Sequence, residues 1–255
     1  MALRKAGCVF VEDEARLLLR AAREIDPDNR TDALQTLLGR RVAGEPLEVV
    51  LGWALFRGLR VGVRAGVFVP RHRTEFLVAR AKALLVPGDL VVDLCCGSGA
   101  VAVALASEVA NLLVHAADID PVAVDCARDN LAPFGGTAHL GDLFRALPAE
   151  LVGRIAVCTV NAPYVPTAEL AMLPPEARDH EPTTALDGGS DGVDLHRRVA
   201  ASAPSWLAPG GRVLIETSRR QAGLTAAAML DADLAPVVRR SRDGQTAVVI
   251  GTRPR

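Results

Sequence analysis

No uncharged apolar run in the chain comes near the roughly 20 residues that a bilayer-spanning helix needs, and the charged start lacks the pattern of a secretory leader. A soluble, cytoplasmic protein with no membrane partner is the expectation. Cysteine is sparse: Cys8, Cys95, Cys96, Cys126 and Cys158 include no C-x-x-C pair, so they fit neither a zinc site nor a disulfide framework, and reduced thiols are expected. Net charge is also nearly missing, with 29 Lys+Arg against 30 Asp+Glu. That balance gives no electrostatic case for a nucleic-acid partner. Repeats and low-complexity tracts are not evident. What the 255 residues do have is 50% hydrophobic side chains, enough for one large core with a small appendage and too many for a disordered chain.

The charge is unevenly divided. Residues 1–80 carry 14 Lys+Arg and 10 Asp+Glu, whereas residues 81–255 carry 15 and 20. The basic excess at the front suits either a solvated surface or a contact for an acidic or RNA-bound partner.

Along residues 1–40, apolar positions at helical spacing (Val9, Ala15, Leu17, Leu18 and Ala21, then Leu34, Leu37 and Leu38) flank the turn-forming Asp26-Pro27-Asp28-Asn29. Two helices are predicted, ending near Gly39. The glycine-cut stretch from Phe56 to Val69 is expected to form a small hairpin, making residues 1–69 an appendage and residues 70–255 the main domain. From residue 76 the pattern becomes alternating strands and helices. Strands are predicted at Leu90–Leu94, Leu112–Ala117, Ile155–Val160 and Val213–Ile215, with a weaker one at Ala138–Leu140; helices are predicted at about 76–86, 99–109, 121–132 and 192–207. This rhythm implies an α/β fold with a mostly parallel sheet. Pro236–Arg240 and Thr246–Gly251 are too close together for a crossover helix, so they must pair as an antiparallel terminal hairpin, giving seven strands.

Ligands of open α/β sheets bind beyond the carboxyl ends of the strands. The first strand runs through Asp93 into Cys95-Cys96-Gly97-Ser98-Gly99, where the glycines let backbone approach a ligand. The spacing is not the G-x-G-x-x-G of dinucleotide binders. The second strand ends at Asp118-Ile119-Asp120-Pro121; Asp118 is placed to accept ribose hydroxyls, and Asp120 to cap the next helix. At the third strand end, Asp142 can accept from an exocyclic amine and Leu143 can cover a purine. A glycine loop, a ribose acid and a base-binding acid describe a nucleoside site without a phosphate clamp, and S-adenosylmethionine is such a ligand. At the fourth strand end, Asn161-Ala162-Pro163-Tyr164 offers an amide, two carbonyls and a ring able to hold a planar NH2 group.

On these residues the chain resembles the PrmC/HemK-type protein-(glutamine-N5) methyltransferases. The resembling stretches are Arg40-Arg41-x-x-Gly44-Glu45-Pro46, Val69-Pro70-Arg71-x-x-Thr74-Glu75, DLCCGSGAVAVALA at 93–106, NAPY at 161–164, and Glu181-Pro182-x-x-Ala185-Leu186-Asp187-Gly188-Gly189-x-Asp191-Gly192. The resemblance implies a Rossmann-like class I S-adenosylmethionine-dependent methyltransferase with a small helical substrate-recognition segment in front. It carries cofactor contacts onto Asp93, Cys95, Cys96, Gly97, Ser98, Gly99, Asp118, Ile119, Asp142, Leu143 and Asn161. Catalytic and substrate contacts fall on Asn161, Ala162, Pro163 and Tyr164. Its expected partner is a protein presenting a glutamine side chain, such as a peptide-chain release factor.

Three features depart from the family pattern. Ala162 replaces the first proline, which keeps the carbonyl but loosens the backbone that aims it. Cys95 and Cys96 stand at the usual glycine and threonine-like positions, and the helical part before Arg40 is short. Two other functions fit the same pocket chemistry: methylation of adenine-N6 or of a small-molecule amine or amide, and a cofactor-binding module with little catalytic activity. Remaining residues have plainer expectations. His72, His115, His139, His180 and His196 show no ligand spacing and suit surface or capping roles, so no metal is expected. Trp53 and Phe56 suit packing of the appendage, Arg71 and Glu75 can pair along a helix, and Glu216 suits a structural role.

Overall fold

The computed structural model describes residues 2–255. Four helices open the chain: α1 (Ala2–Lys5), α2 (Val11–Ile25), α3 (Arg30–Val42) and α4 (Leu47–Leu51). Glu12, Asp13 and Glu14 fill the first turn of α2, where carboxylates complement the helix dipole. Asp26 Oδ1 accepts from the amides of Asp28 and Asn29 at 3.1 and 2.8 Å, closing the expected turn between α2 and α3. The helices bury Leu3, Leu18, Ala21, Ala22, Leu37 and Val50 in a cluster of their own.

The hairpin that follows, β1 (Trp53–Phe56) and β2 (Leu59–Gly62), lies earlier than the glycine pattern suggested. Arg57 and Gly58 both have positive φ, 49° and 78°, as a two-residue hairpin turn with the native strand twist requires. Residues 63–69 are consequently loop, and Gly66, Val67 and Phe68 line the cleft described below. Phe56 and Val61 are buried in the same cluster as Leu77, Val78 and Leu105, so the hairpin packs into the main core. Trp53 stays partly exposed beneath the Arg60 guanidinium, 4.3 Å from its ring.

The main domain continues with α5 (Glu75–Lys82), β3 (Leu90–Leu94), α6 (Ala100–Glu108), β4 (Leu113–Asp118), α7 (Pro121–Leu131), β5 (Thr137–Leu140) and β6 (Ile155–Val160). It ends with α8 (Pro175–His180), α9 (Asp194–Trp206), β7 (Leu207–Ser218), α10 (Ala222–Leu230), β8 (Ala235–Arg240) and β9 (Thr246–Thr252). The seven strands β3–β9 form one sheet in the order β5-β4-β3-β6-β7-β9-β8. The pairs among the first five are parallel, while β9 is antiparallel to both β7 and β8, as the sequence predicts. Two cores cover the faces: one holds side chains of α5, α6 and α7, the other those of α9 and α10. Helix α10 was not visible in the sequence pattern because Ala222-Gly223-Leu224-Thr225-Ala226-Ala227-Ala228 offers no contrast between an apolar and a polar face.

The strand order reverses between β3 and β6: the chain winds outward through β4 and β5, then returns to the other side of β3. A crevice at such a switch point is where open α/β sheets place ligands. Among the described residues, no helix is long and apolar enough to cross a membrane.

Candidate active site

A cleft of about 750 Å³ opens over the carboxyl ends of β3, β4, β5 and β6. Every residue proposed from the sequence lines it except Gly99. Gly99 is instead the N-cap of α6 at φ +75°, and a Cβ there would approach the Ala127 backbone to 3.3 Å. Its glycine serves the packing of α6 on α7.

The loop after β3 is drawn onto β4 by its own backbone. Gly97, at φ +53°, donates its amide to Asp118 Oδ2 at 2.8 Å, and the Cys96 amide donates to the Ala117 carbonyl at 3.2 Å. Asp118 Oδ1 accepts from the Asp120 amide at 3.0 Å, so two amides aim this carboxylate and leave further lone pairs free to accept hydroxyls. Burial pushes the Asp118 carboxyl up from its ordinary value. Asp120 has the capping role expected of it, accepting from the Val122 amide at 2.8 Å. Asp142 accepts from Arg198 at 2.5 Å, and Leu143 beside it holds φ +51°. Cys95 also has positive φ, 54°, and burial raises both Cys95 and Cys96 thiols well above their ordinary range, so neither is a reactive thiolate.

Asp93 lies deepest. Its Oδ1 accepts from Thr159 Oγ1 at 2.7 Å, and its Oδ2 is buried without a protein partner. Burial pushes this carboxyl up to about 7. An unpartnered acceptor in the lining of the cleft, the Asp118 carboxylate and the backbone turn at Gly97 together fit S-adenosylmethionine, whose amino group and ribose hydroxyls need such neighbours. His115 and His139 stack in contact across β4 and β5, 2.9 Å between ring nitrogens, whereas His196, expected at the surface, is buried with Nδ1 2.9 Å from Thr225 Oγ1. Among the described residues no group of three or more His, Cys, Asp or Glu side chains is placed to hold a metal.

Asn161–Tyr164 lines the same cleft immediately after β6, the strand beside β3. Ala162 and Pro163 are buried, and Tyr164 is partly so. Segments far apart along the chain hold this loop. Gln221 Nε2 donates to the Tyr164 carbonyl at 2.7 Å and to the Asp191 carbonyl at 3.0 Å. The Gly188 amide donates to the Val165 carbonyl at 2.8 Å. A Cβ on Gly188 would meet the Tyr164 Cα at 2.7 Å and the Gly192 Cα at 2.8 Å, so the Asp187–Gly192 turn presses backbone against backbone.

Arg71 does not pair with Glu75 along α5. It reaches Glu181, 110 residues away, with one guanidinium nitrogen 2.7 Å from both carboxylate oxygens, while Glu181 also accepts from the Val69 amide at 3.2 Å. Glu75 faces His72 Nδ1 at 3.1 Å and the Arg57 amide at 3.3 Å. Burial outweighs Arg71 and pushes the Glu181 carboxyl up. Arg41 of α3 likewise joins Glu14 of α2 and Glu176 of α8, both at 2.7 Å, tying the front helices to the segment that borders the cleft. Arg71, Thr74, Glu176 and Glu181 all line the cleft. They complete a site that local strand-end reading found only in part.

Comparison with known proteins agrees with this geometry. The Methyltransferase small domain model matches residues 60–155. The release factor glutamine methyltransferase of Streptomyces coelicolor is 41% identical, over 77% of this chain and 72% of that protein. The protein of the same name from Cereibacter sphaeroides is 35% identical over 99% of this chain and 95% of its own length, an alignment that takes in the front helices as well. Among solved structures, a methyltransferase from Pyrococcus furiosus superposes with a TM-score of 0.58 at 15% identity, covering 78% of this chain and 91% of that one, a likeness of fold. The chain therefore belongs to the release factor glutamine methyltransferase family, as an S-adenosylmethionine-dependent enzyme of class I fold.

Proposed function

We propose that the chain methylates a glutamine side-chain amide in a peptide-chain release factor, acting in the cytoplasm, where its free thiols stay reduced. The observation that carries this reading is the Asn161–Tyr164 loop, which shares one cleft with the glycine loop of β3 and is braced by the Asp187–Gly192 turn. On this reading Asp93, Cys95–Ser98, Asp118, Ile119, Asp142 and Leu143 surround the cofactor. Asn161, Ala162, Pro163 and Tyr164 receive the acceptor, and residues 1–69 dock the protein that carries it.

S-adenosylmethionine supplies a methyl group on a positively charged sulfur, an electrophile that needs no metal. The acceptor sets the difficulty, because an amide nitrogen has its lone pair delocalised into the carbonyl. The chain's task is to turn that NH2 group so its nitrogen faces the methyl carbon. Asn161 Oδ1 and the Ala162 carbonyl accept its two hydrogens, and the Tyr164 ring borders its face. As the nitrogen gains positive charge, both acceptors bind it more strongly than they bind the neutral amide, so the interaction lowers the barrier as well as positioning the group. Alignment within a buried pocket supplies much of the rest. The extra proton then leaves to water.

The test is methyl transfer from labelled S-adenosylmethionine to a purified bacterial release factor, with peptide mass spectrometry to locate the label and a parallel assay on DNA and RNA. A methyl group on a glutamine side chain is expected. Label confined to adenine, or absent from glutamine, refutes the reading.

A further inference from the structure

We propose that Glu216 is a positioning residue for the transfer: acting through the Thr74 hydroxyl, it sets which end of the Asn161 amide faces the cleft. The inference rests on the glutamine-accepting role just given to Asn161.

Val160 of β6 pairs with Ile215 of β7, so Asn161 and Glu216 are the next residues along two adjacent strands. The Glu216 side chain is buried, about 1% exposed, and stands behind the cleft wall, not in its lining. Thr74, which does line the cleft, bridges the two. Its Oγ1 lies 3.2 Å from Glu216 Oε1, and Asn161 Nδ2 lies 3.5 Å from the same Oγ1. Arg73 is the other group facing this carboxylate, its Nε 3.9 Å from Oε1, and its guanidinium also stands 6.0 Å over the Tyr164 ring. Glu216 Oε2 has no protein partner.

Proton counting gives this row a direction. An ionised carboxylate only accepts, so the single hydroxyl hydrogen of Thr74 goes to Glu216. Thr74 then offers Asn161 lone pairs alone. The end of an amide that meets lone pairs is its NH2, which leaves the carbonyl oxygen of Asn161 for the cleft, where an acceptor for the substrate NH2 is required. A neutral amide at position 216 removes this constraint. Its NH2 can donate to Thr74, the hydroxyl can donate to Asn161 Oδ1, and Asn161 then turns its own NH2 toward that of the substrate. Nothing in this scheme requires Glu216 to touch either substrate.

The experiment compares Glu216→Gln, Thr74→Val, Thr74→Ser and the Glu216→Gln/Thr74→Val double variant in methyl transfer to a release factor. Assays run near pH 8, where a carboxyl pushed up to about 7 by burial is mostly ionised. Glu216→Gln and Thr74→Val should each lower kcat by about tenfold or more, with the Kd for S-adenosylmethionine and the KM for release factor within roughly threefold of wild type. Thr74→Ser, which restores the hydroxyl, should recover most of the turnover lost in Thr74→Val. The double variant should be no slower than Thr74→Val, because one row of hydrogen bonds can be broken only once. Multiplying losses in the double variant, unchanged kcat in Glu216→Gln, or a Thr74→Ser enzyme as slow as Thr74→Val would overturn the proposal. If Glu216→Gln does not fold, the Thr74→Val and Thr74→Ser pair decides. Failure of the underlying reading looks different: the wild-type chain then places no methyl on glutamine, and the role given to Glu216 falls with it.

Discussion

At the end of the cleft proposed to hold the cofactor, each group sits within a few residues of the strand that delivers it: Gly97 after β3, Asp118 at the tip of β4, Leu143 just past β5. The loop after β3 is drawn mainly onto the adjacent β4, as in Gly97 to Asp118, with two helix side chains added: Asn130 of α7 on the Ser98 carbonyl and Arg198 of α9 on Asp142. At the acceptor end, Asn161–Tyr164 also follows its strand, but its contacts reach Thr74 ahead of α5, the Asp187–Gly192 turn and Gln221 ahead of α10, with Glu216 of the adjacent β7 behind Thr74. The difference teaches that a nucleoside site can be assembled by the topology of a parallel sheet, whereas a site that must orient one NH2 group against its electronic preference needs bracing from outside the strand ends.

The sharpest way to break this division is to damage one end and watch the other. Asp118→Ala removes the carboxylate proposed to bind ribose. Losing two charge-assisted hydrogen bonds costs about 2–4 kcal/mol, so affinity for S-adenosylmethionine should fall roughly 30- to 1,000-fold while the fold survives. Calorimetry giving wild-type affinity would take Asp118 out of the site. Gly188→Ala should do the reverse. With Tyr164 Cα only 2.7 Å from the new Cβ, backbone must shift at the acceptor loop. Turnover is expected to fall about tenfold or more, with cofactor affinity within roughly threefold. Equal losses in both would mean that the two ends move as one.

Smaller effects sharpen the account of the bracing. Arg71→Ala leaves Glu181 buried with only the Val69 amide as partner. Because Arg71 is itself about one-third exposed, 34%, the expected loss is about 1–3 kcal/mol, below that of a fully buried pair. Denaturant unfolding with a change under about 0.5 kcal/mol would show that the pair does not hold the loop. A further test concerns pH. The Asp93 carboxyl, pushed up to about 7 in the folded chain from an ordinary 3.8, keeps a proton that the unfolded chain has already released between roughly pH 4 and 7. Stability of the ligand-free protein should therefore fall as pH rises through that window. Asp93→Asn should make the dependence of Tm on pH shallower; curves parallel to wild type would contradict the buried, unpartnered state of Oδ2.

The same contrast explains what was legible in the sequence. The seven strands, their direction and the terminal hairpin follow from apolar runs and connection lengths, and the strand-end acids Asp118 and Asp142 follow from knowing where such sheets bind ligands. The Phe56–Val69 hairpin slipped because glycines at 62 and 66 resemble turn residues, whereas the turn is at Arg57-Gly58 and Gly62 is small to admit Asn130, whose Oδ1 accepts its amide at 2.9 Å. Arg71 has a plausible partner four residues on, yet burial of Glu181 draws it across 110 residues of chain. The Asp187–Gly192 turn was marked by family resemblance alone. Its physical task, to let backbone meet the Tyr164 backbone, depends on contacts that spacing along the chain does not encode.

The measurement that bears most directly on the central claim is single-turnover methyl transfer by Asn161→Ala at saturating S-adenosylmethionine with a release factor as acceptor. On the proposed reading, Asn161 stands where donor and acceptor meet, and its carbonyl oxygen is assigned to the substrate amide. The transfer rate should fall by about 30-fold or more while the dissociation constant for S-adenosylmethionine rises by no more than roughly threefold. A transfer rate near wild type, or a loss matched fold for fold by weaker cofactor binding, would contradict the assignment of Asn161 to the acceptor glutamine.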